Sequence, residues 1–258
     1  MDQLVSYRYL GCSSVVQDRS HAEGQMRLRR DLRTPAGPLG APLAIAALDT
    51  AGINIDRYHH LALTRIDVHI FDAATDVETV RINGSVLREA RTQVFTEATI
   101  HDRDDPRRTV ASATADWAVL APTPEGFEYT DPGPGVPDTP DLPPLAAAFD
   151  ARPRSEGGFV IEGLSPRVGA DLLHHGPILV ALEATALEVA AAHTGTDRLR
   201  VEHLATRLVS AGRTGPFVAT AEVLPVRGET VACRAELRDE GADGRVVATA
   251  IMRAEPAR

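Results

Sequence analysis

Two short stretches carry residues able to act on an acyl carbonyl. Residues 174–186 read HHGPILVALEATA, and residues 42–55 read PLAIAALDTAGINI. Attack on a carbonyl needs a donor at the oxygen, where negative charge grows, and a base or nucleophile at the carbon. The backbone N–H of Gly176, at a helix N-terminus, supplies the first, with the helix dipole assisting. Losing one such donor typically costs about 3 kcal/mol of transition-state stabilisation. Pro177 has no N–H, so the donor set is narrower than a Gly-Gly turn would give. Asp49 lies inside an apolar helical run, where partial desolvation raises its proton affinity and suits it to act as a base on water. Direct attack by its carboxylate remains an alternative. So does a plainer reading, a hydrated residue near a helix end, because Thr-Ala-Gly-Ile-Asn follows it. His175 by itself reads as a residue that shapes the turn.

Other chemistry-bearing residues form no pattern. His59-His60, His174-His175, His69 and His203 lack metal-ligand spacing, and no metal site is expected. HDRDDPRR, from His101, is a charged hairpin turn. Gly-Pro-Gly at 133–135 lacks the strand and helix context of a phosphate loop. No G-x-S-x-G elbow is present. Arg65 and Arg200 stand at equivalent places, just before Asp67 and Glu202. They read as a repeated ion pair or rim residues, with contact to phosphates as a further option.

The elements that must position these residues are written twice. Ile66-Asp67 align with Val201-Glu202 at an offset of 135; the stretches from Val86 and Val223 align at 137, as do those from Val110 and Val247. A near-constant offset at three places marks a tandem duplication. Each half has a short strand (GQMRLRRDL, GGFVIEGL), then an apolar helix with Pro42 or Pro177 in its first turn. Several strands of period-two alternation follow, including VFTEATIHD, FVATAEVL and VACRAELRD. A helix apolar nearly all round is enclosed by other structure. One buried helix wrapped by an antiparallel sheet, repeated, is an α+β arrangement. The Pro/Gly-rich stretch between reads as an extended surface linker. The expected units are 1–121, a linker at 122–156, and 157–258.

Composition narrows the function. The chain has 258 residues, 43% of them hydrophobic, and a net charge of −9. That charge argues against nucleic acid or an anionic membrane surface as the main partner. Cys12 and Cys233 form no framework, which fits a reduced cytosol. The first residues, MDQLVSYRYLGCSS, lack the pattern of a signal peptide. No apolar stretch is expected to reach a membrane span, the longest being broken by Glu183 and Glu188. A cytoplasmic location is the expectation.

The halves resemble the hotdog fold, and the helix openings resemble acyl-CoA thioesterases of the phenylacetate-pathway type. In that family a His-Gly-Gly turn opens the central helix, with an Asp followed by Thr-Ala nine residues after the His. The run Arg238 to Ala250 is also similar to the family's strands. His175-Gly176 match the opening in half two, and Thr185-Ala186 match the end, but Ala184 stands where the Asp belongs. In half one Asp49-Thr50-Ala51 match the end, while Gly40-Ala41-Pro42 replaces the opening. Each half keeps what the other has lost.

The resemblance implies two hotdogs paired as an intramolecular pseudo-dimer with their helices adjacent. A composite site would then join the Gly176 turn to Asp49, with Thr50, His175, Arg65 and Glu183 as substrate-contacting candidates. The second site, at Gly40-Ala41, would lack its acid. Glu183 neighbours the Ala184 position, but one residue turns a helix by about 100°, so it is expected to point elsewhere, toward a solvent-facing gap, or to serve as a displaced acid. The family's amide side chain before the His has no match at Gly169 or Thr34. Leu43, Ile45, Leu179 and Leu182 either line an acyl channel or form core. The resemblance implies thioester hydrolysis without metal or redox cofactor, CoA or phosphopantetheine being part of the substrate, which is an acyl-CoA or an acyl-carrier protein. A non-catalytic acyl-binding protein is the alternative and a hydratase ranks lower; the sequence leaves the oligomeric state open, a homo-oligomer being one option because paired hotdogs commonly assemble further.

Overall fold

Alternating apolar and polar residues fix the strands. In the computed structural model, which describes residues 4–126, 133–225 and 228–257, the first half contains α1 (Val5–Leu10), β1 (Ser13–Val16), β2 (His21–Arg27), a small hairpin β3 (Arg33–Thr34) and β4 (Gly37–Pro38), and the central helix α2 (Gly40–Asp56). Strands β5 (His59–Ile70), β6 (Thr79–Glu89), β7 (Gln93–Asp102) and β8 (Thr109–Pro122) follow. The second half contains α3 (Leu145–Ala148), β9 (Arg152–Pro153), β10 (Phe159–Ile161), the central helix α4 (His175–Thr194), β11 (Leu199–Leu208), β12 (Phe217–Leu224), β13 (Val231–Asp239) and β14 (Arg245–Pro256).

Twelve of these strands form one antiparallel sheet in the order β1-β2-β6-β7-β8-β5-β11-β14-β13-β12-β10-β9. The order is its own mirror: β5 and β11 meet in the middle, and every strand of one half has a counterpart at the same distance in the other. The duplication read from the sequence is therefore a duplication of structure. At the seam, His69 pairs with His203 and Arg65 with Arg207. Ile66 and Val68 of β5 and Leu204 of β11 are buried beneath it.

Both central helices lie inside the curl of the sheet. In α2, Leu43, Ile45, Leu48, Ile53 and Ile55 are buried, each contributing about 1.5–3 kcal/mol. Gly84 on β6 lets α2 approach closely, since a Cβ there would fall 2.8 Å from the Ala51 backbone. Leu179 and Leu182 are equally buried in α4. Together with Leu43 and Ile45 they are core.

Three expectations are corrected, and one further element was not foreseen. The chain leaves the sheet after Arg27, so the first strand is shorter than GQMRLRRDL and is preceded by an unforeseen edge strand, β1. By length and mean hydropathy (1.2) α4 is apolar enough to cross a membrane, with 61% of that window buried inside the fold; enclosure by the sheet accounts for its composition. The inter-repeat segment is not surface throughout: residues 127–132 lie outside the described residues, but Val136 donates to the Tyr9 carbonyl at 3.2 Å, and Leu145, Ala148 and Phe149 are buried. The N-terminal residues form a helix, α1, whose Val5, Tyr9 and Leu10 pack into the core.

Candidate active site

The first four N–H groups of a helix have no intrahelical partner. At α2 the preceding residue, Leu39, offers no side-chain cap. The partner comes from the other half. Gly40 N–H donates to Glu183 Oε1 at 2.6 Å, and Ala41 N–H donates to Oε2 at 2.8 Å. Glu183, on α4, is 2% exposed. Burial pushes its carboxyl up to about 7, opposed by the two N–H groups. The expectation that Glu183 faces a solvent gap is thus corrected: it points across the interface into the α2 N-terminus. Ala184, at the position matching Asp49, is only half-buried.

The α4 N-terminus is built differently. His174 caps it, its Nδ1 accepting from Gly176 N–H at 3.3 Å and lying 3.1 Å from Ser6 Oγ. That bond leaves the proton on Nε2, which is 3.4 Å from the Tyr7 hydroxyl. The His174 and His175 rings pack with centroids 3.8 Å apart. Burial, and His175 beside it, hold His174 well below its ordinary pKa. Burial lowers His175 to about 4. Both imidazoles are neutral at pH 7. The capping role expected of the His175 turn belongs to His174.

Helix α1 covers this corner. Ser6 is buried, and a Cβ on Gly176 would fall 2.0 Å from its Oγ. Only glycine fits there. The same Cβ would lie 3.5 Å from Ile45 Cδ1, one turn before Asp49 on α2. Asp49 is half-buried and accepts from Ser14 Oγ at 3.2 Å. Ser14 Oγ also lies 3.1 Å from Thr50 Oγ1, and Cys12 Sγ is 3.7 Å from Thr50. Burial, then the charge of Asp49, then that of Asp56, raise the Tyr7 hydroxyl. Burial followed by Asp49 does the same to the Cys12 thiol. Tyr7 thus lies within reach of His174 and in the field of Asp49.

Three residues named from the sequence have other partners. Arg65 points from the outer face of the sheet and pairs with Asp67 at 2.7 Å. Arg200 pairs with Glu202 at 2.7 Å and Glu255 at 3.1 Å. Thr34 donates to the Leu199 carbonyl at 2.6 Å. Ser6, Tyr7, Cys12, Ser14 and His174 were not singled out from sequence as site residues. The spacing of Val5, Tyr9 and Leu10, one helical face, was the available sign of α1.

Residues 171–245 match the model of the family described as "Thioesterase superfamily". A search of curated protein sequences finds no match. Among solved structures, the tesB protein of Mycobacterium avium subs paratuberculosis is similar with a TM-score of 0.65 at 14% identity, over 95% of this chain and 96% of that one. The acyl-CoA thioesterase II TesB2 of Mycobacterium marinum gives 0.59 at 13% identity, over 98% and 96%. The 12:0-ACP thioesterase of Umbellularia californica gives 0.59 at 12% identity, over 92% and 94%. At these identities the likeness carries the fold.

Proposed function

From the premise that the chain is a tandem hotdog protein whose residues 171–245 match the Thioesterase superfamily, we propose that it hydrolyses acyl thioesters at one composite site. That site joins the α4 N-terminus to Asp49 of α2. The observation that carries the reading is the pair of bonds from Gly40 and Ala41 N–H to a carboxylate of the opposite half. Here the first two N–H groups of one central helix hold both oxygens of a buried carboxyl group presented from the other half. At the offset of 135 the equivalent donors on α4 are His175 N–H and Gly176 N–H.

On that template the thioester carbonyl oxygen takes the place of the His174 ring and Ser6 hydroxyl at Gly176. Developing charge there is stabilised by the two N–H groups and the helix dipole. Asp49, held by Ser14, removes a proton from a water that attacks the carbonyl carbon. The C–S bond then breaks, and the proton passes from the Asp49 carboxyl to the departing thiolate. The reaction needs no cofactor. The substrate class is an acyl-CoA or an acyl group on a carrier protein. Helix α1 must shift to admit it, because Ser6 and Tyr7 occupy the approach.

A second reading, acyl-thioester binding without turnover, is favoured by one observation. Protein groups already fill both anion positions: Glu183 at α2, and His174 with Ser6 at α4. Thiol release from short, medium and long acyl-CoAs and from an acylated carrier protein separates the two. Turnover that falls in Asp49→Ala supports hydrolysis; saturable binding with no turnover by the wild type supports the second reading.

A further inference from the structure

The outer face of the sheet carries a cluster that the hydrolase reading does not use. On β5, Ile66, Val68 and Ile70 face the helices, so Arg65, Asp67 and His69 face outward. Across the seam His203 of β11 stands directly opposite His69, and Ala205 opposite Asp67. The two imidazoles stack with centroids 4.4 Å apart and planes 19° apart. Both Nε2 atoms approach the same carboxylate oxygen, Asp67 Oδ1, at 2.7 Å from His203 and 3.3 Å from His69. The three ligand atoms all lie within 4.8 Å of one another.

We propose that Asp67, His69 and His203 form a binding site for a divalent transition-metal ion, with zinc the best match, bridging the two halves at the seam. Zinc sits about 2.0–2.2 Å from His nitrogen and carboxylate oxygen in a tetrahedron, so its ligand atoms lie about 3.3 Å apart. The His69–Asp67 separation already has that value. The His203–Asp67 contact must widen by about half an ångström, a side-chain adjustment on a surface. Two imidazoles and one carboxylate are borderline ligands suited to zinc rather than calcium or magnesium. Three protein ligands leave a fourth position for water.

The surroundings orient the ligands. Arg65 donates to Asp67 Oδ2 at 2.7 Å, which leaves Oδ1 turned toward the imidazoles. Phe71 stacks on His69 with planes 7° apart. Arg65, and Arg253 opposite His203 on β14, also place positive charge nearby, which opposes a cation. The ligands are contributed by different halves, 134 positions apart for the two histidines, so the sequence spacing that led us to expect no metal pattern could not reveal them.

The test is titration of chelator-treated full-length protein with Zn²⁺ by calorimetry and with Co²⁺ by visible absorbance. One equivalent of Zn²⁺ per chain is expected, with a Tm that rises as zinc is added. His69→Ala, at a side chain 54% exposed, should keep the metal-free Tm and weaken binding more than about tenfold. His203→Ala should weaken binding likewise. No saturable binding, or binding that survives both His69→Ala and His203→Ala, would overturn the proposal. Thiol release plays no part in these readouts, so they stand apart from the hydrolase reading.

Discussion

Gly176 and Glu183 are the residues on which the helix N-termini turn. A methyl group on Gly176 meets Ser6 Oγ at 2.0 Å, so Gly176→Ala is expected to cost about 1–3 kcal/mol through overpacking. Urea denaturation measures it, and Ser6→Gly in the same chain should recover most of the loss. Glu183 makes a pH prediction. Its folded-state pKa, about 7, lies above the ordinary 4.5. Between those values the unfolded chain ionises while the folded chain keeps its proton, so stability falls as pH rises and levels off above 7. The full effect is about 3 kcal/mol. Denaturation at pH 4.5 and pH 8 should show wild type losing more stability than Glu183→Gln; equal losses would contradict the assignment. The identity of this acid was legible only in outline. Sequence placed a carboxylate beside Ala184, but which helix face meets the opposite N-terminus depends on how α2 and α4 pack.

At the scale of elements, the helices and the period-two strands were legible because each has one apolar pattern and one surrounding. Strands β12 and β13 coincide with the residues read from alternation. What escaped was set by contacts from far along the chain. Helix α1 has six residues, too few for its one apolar face to stand out as a repeat, and it forms against Arg167, whose carbonyl accepts from Val5 N–H at 2.8 Å. A six-residue helix closes few hydrogen bonds of its own, so despite its buried face it should open locally more readily than the 17-residue α2. Amides of residues 5–11 should therefore exchange with solvent faster than those of 43–48. A non-hydrolysable acyl-CoA thioether should change exchange over residues 5–11, since Ser6 and Tyr7 stand on the path to Gly176. Unchanged exchange at saturating ligand would place the substrate elsewhere.

The whole molecule behaves as one sheet rather than two beads. The duplication was readable from the offset of 135–137, but the pairing of β5 with β11 was not, because no residue pattern names a strand's neighbour across a repeat. Beneath that seam, Ile66, Val68 and Leu204 join the two cores. Unfolding should be a single cooperative transition, with calorimetric and van't Hoff enthalpies equal; two resolved transitions would mean that the halves are energetically separate. At the α2 opening the contact between the halves is Glu183 of α4 on the Gly40 and Ala41 N–H groups; on the proposed reading the site, like that contact, draws on both halves.

Thiol release from acyl-CoAs and an acylated carrier protein, wild type against Asp49→Asn, tests the central claim most directly. Turnover of at least one substrate is expected, falling by about 10²–10⁴-fold in Asp49→Asn with the Tm little changed. Turnover that persists in Asp49→Asn, or none by the wild type on any of these thioesters, would contradict it.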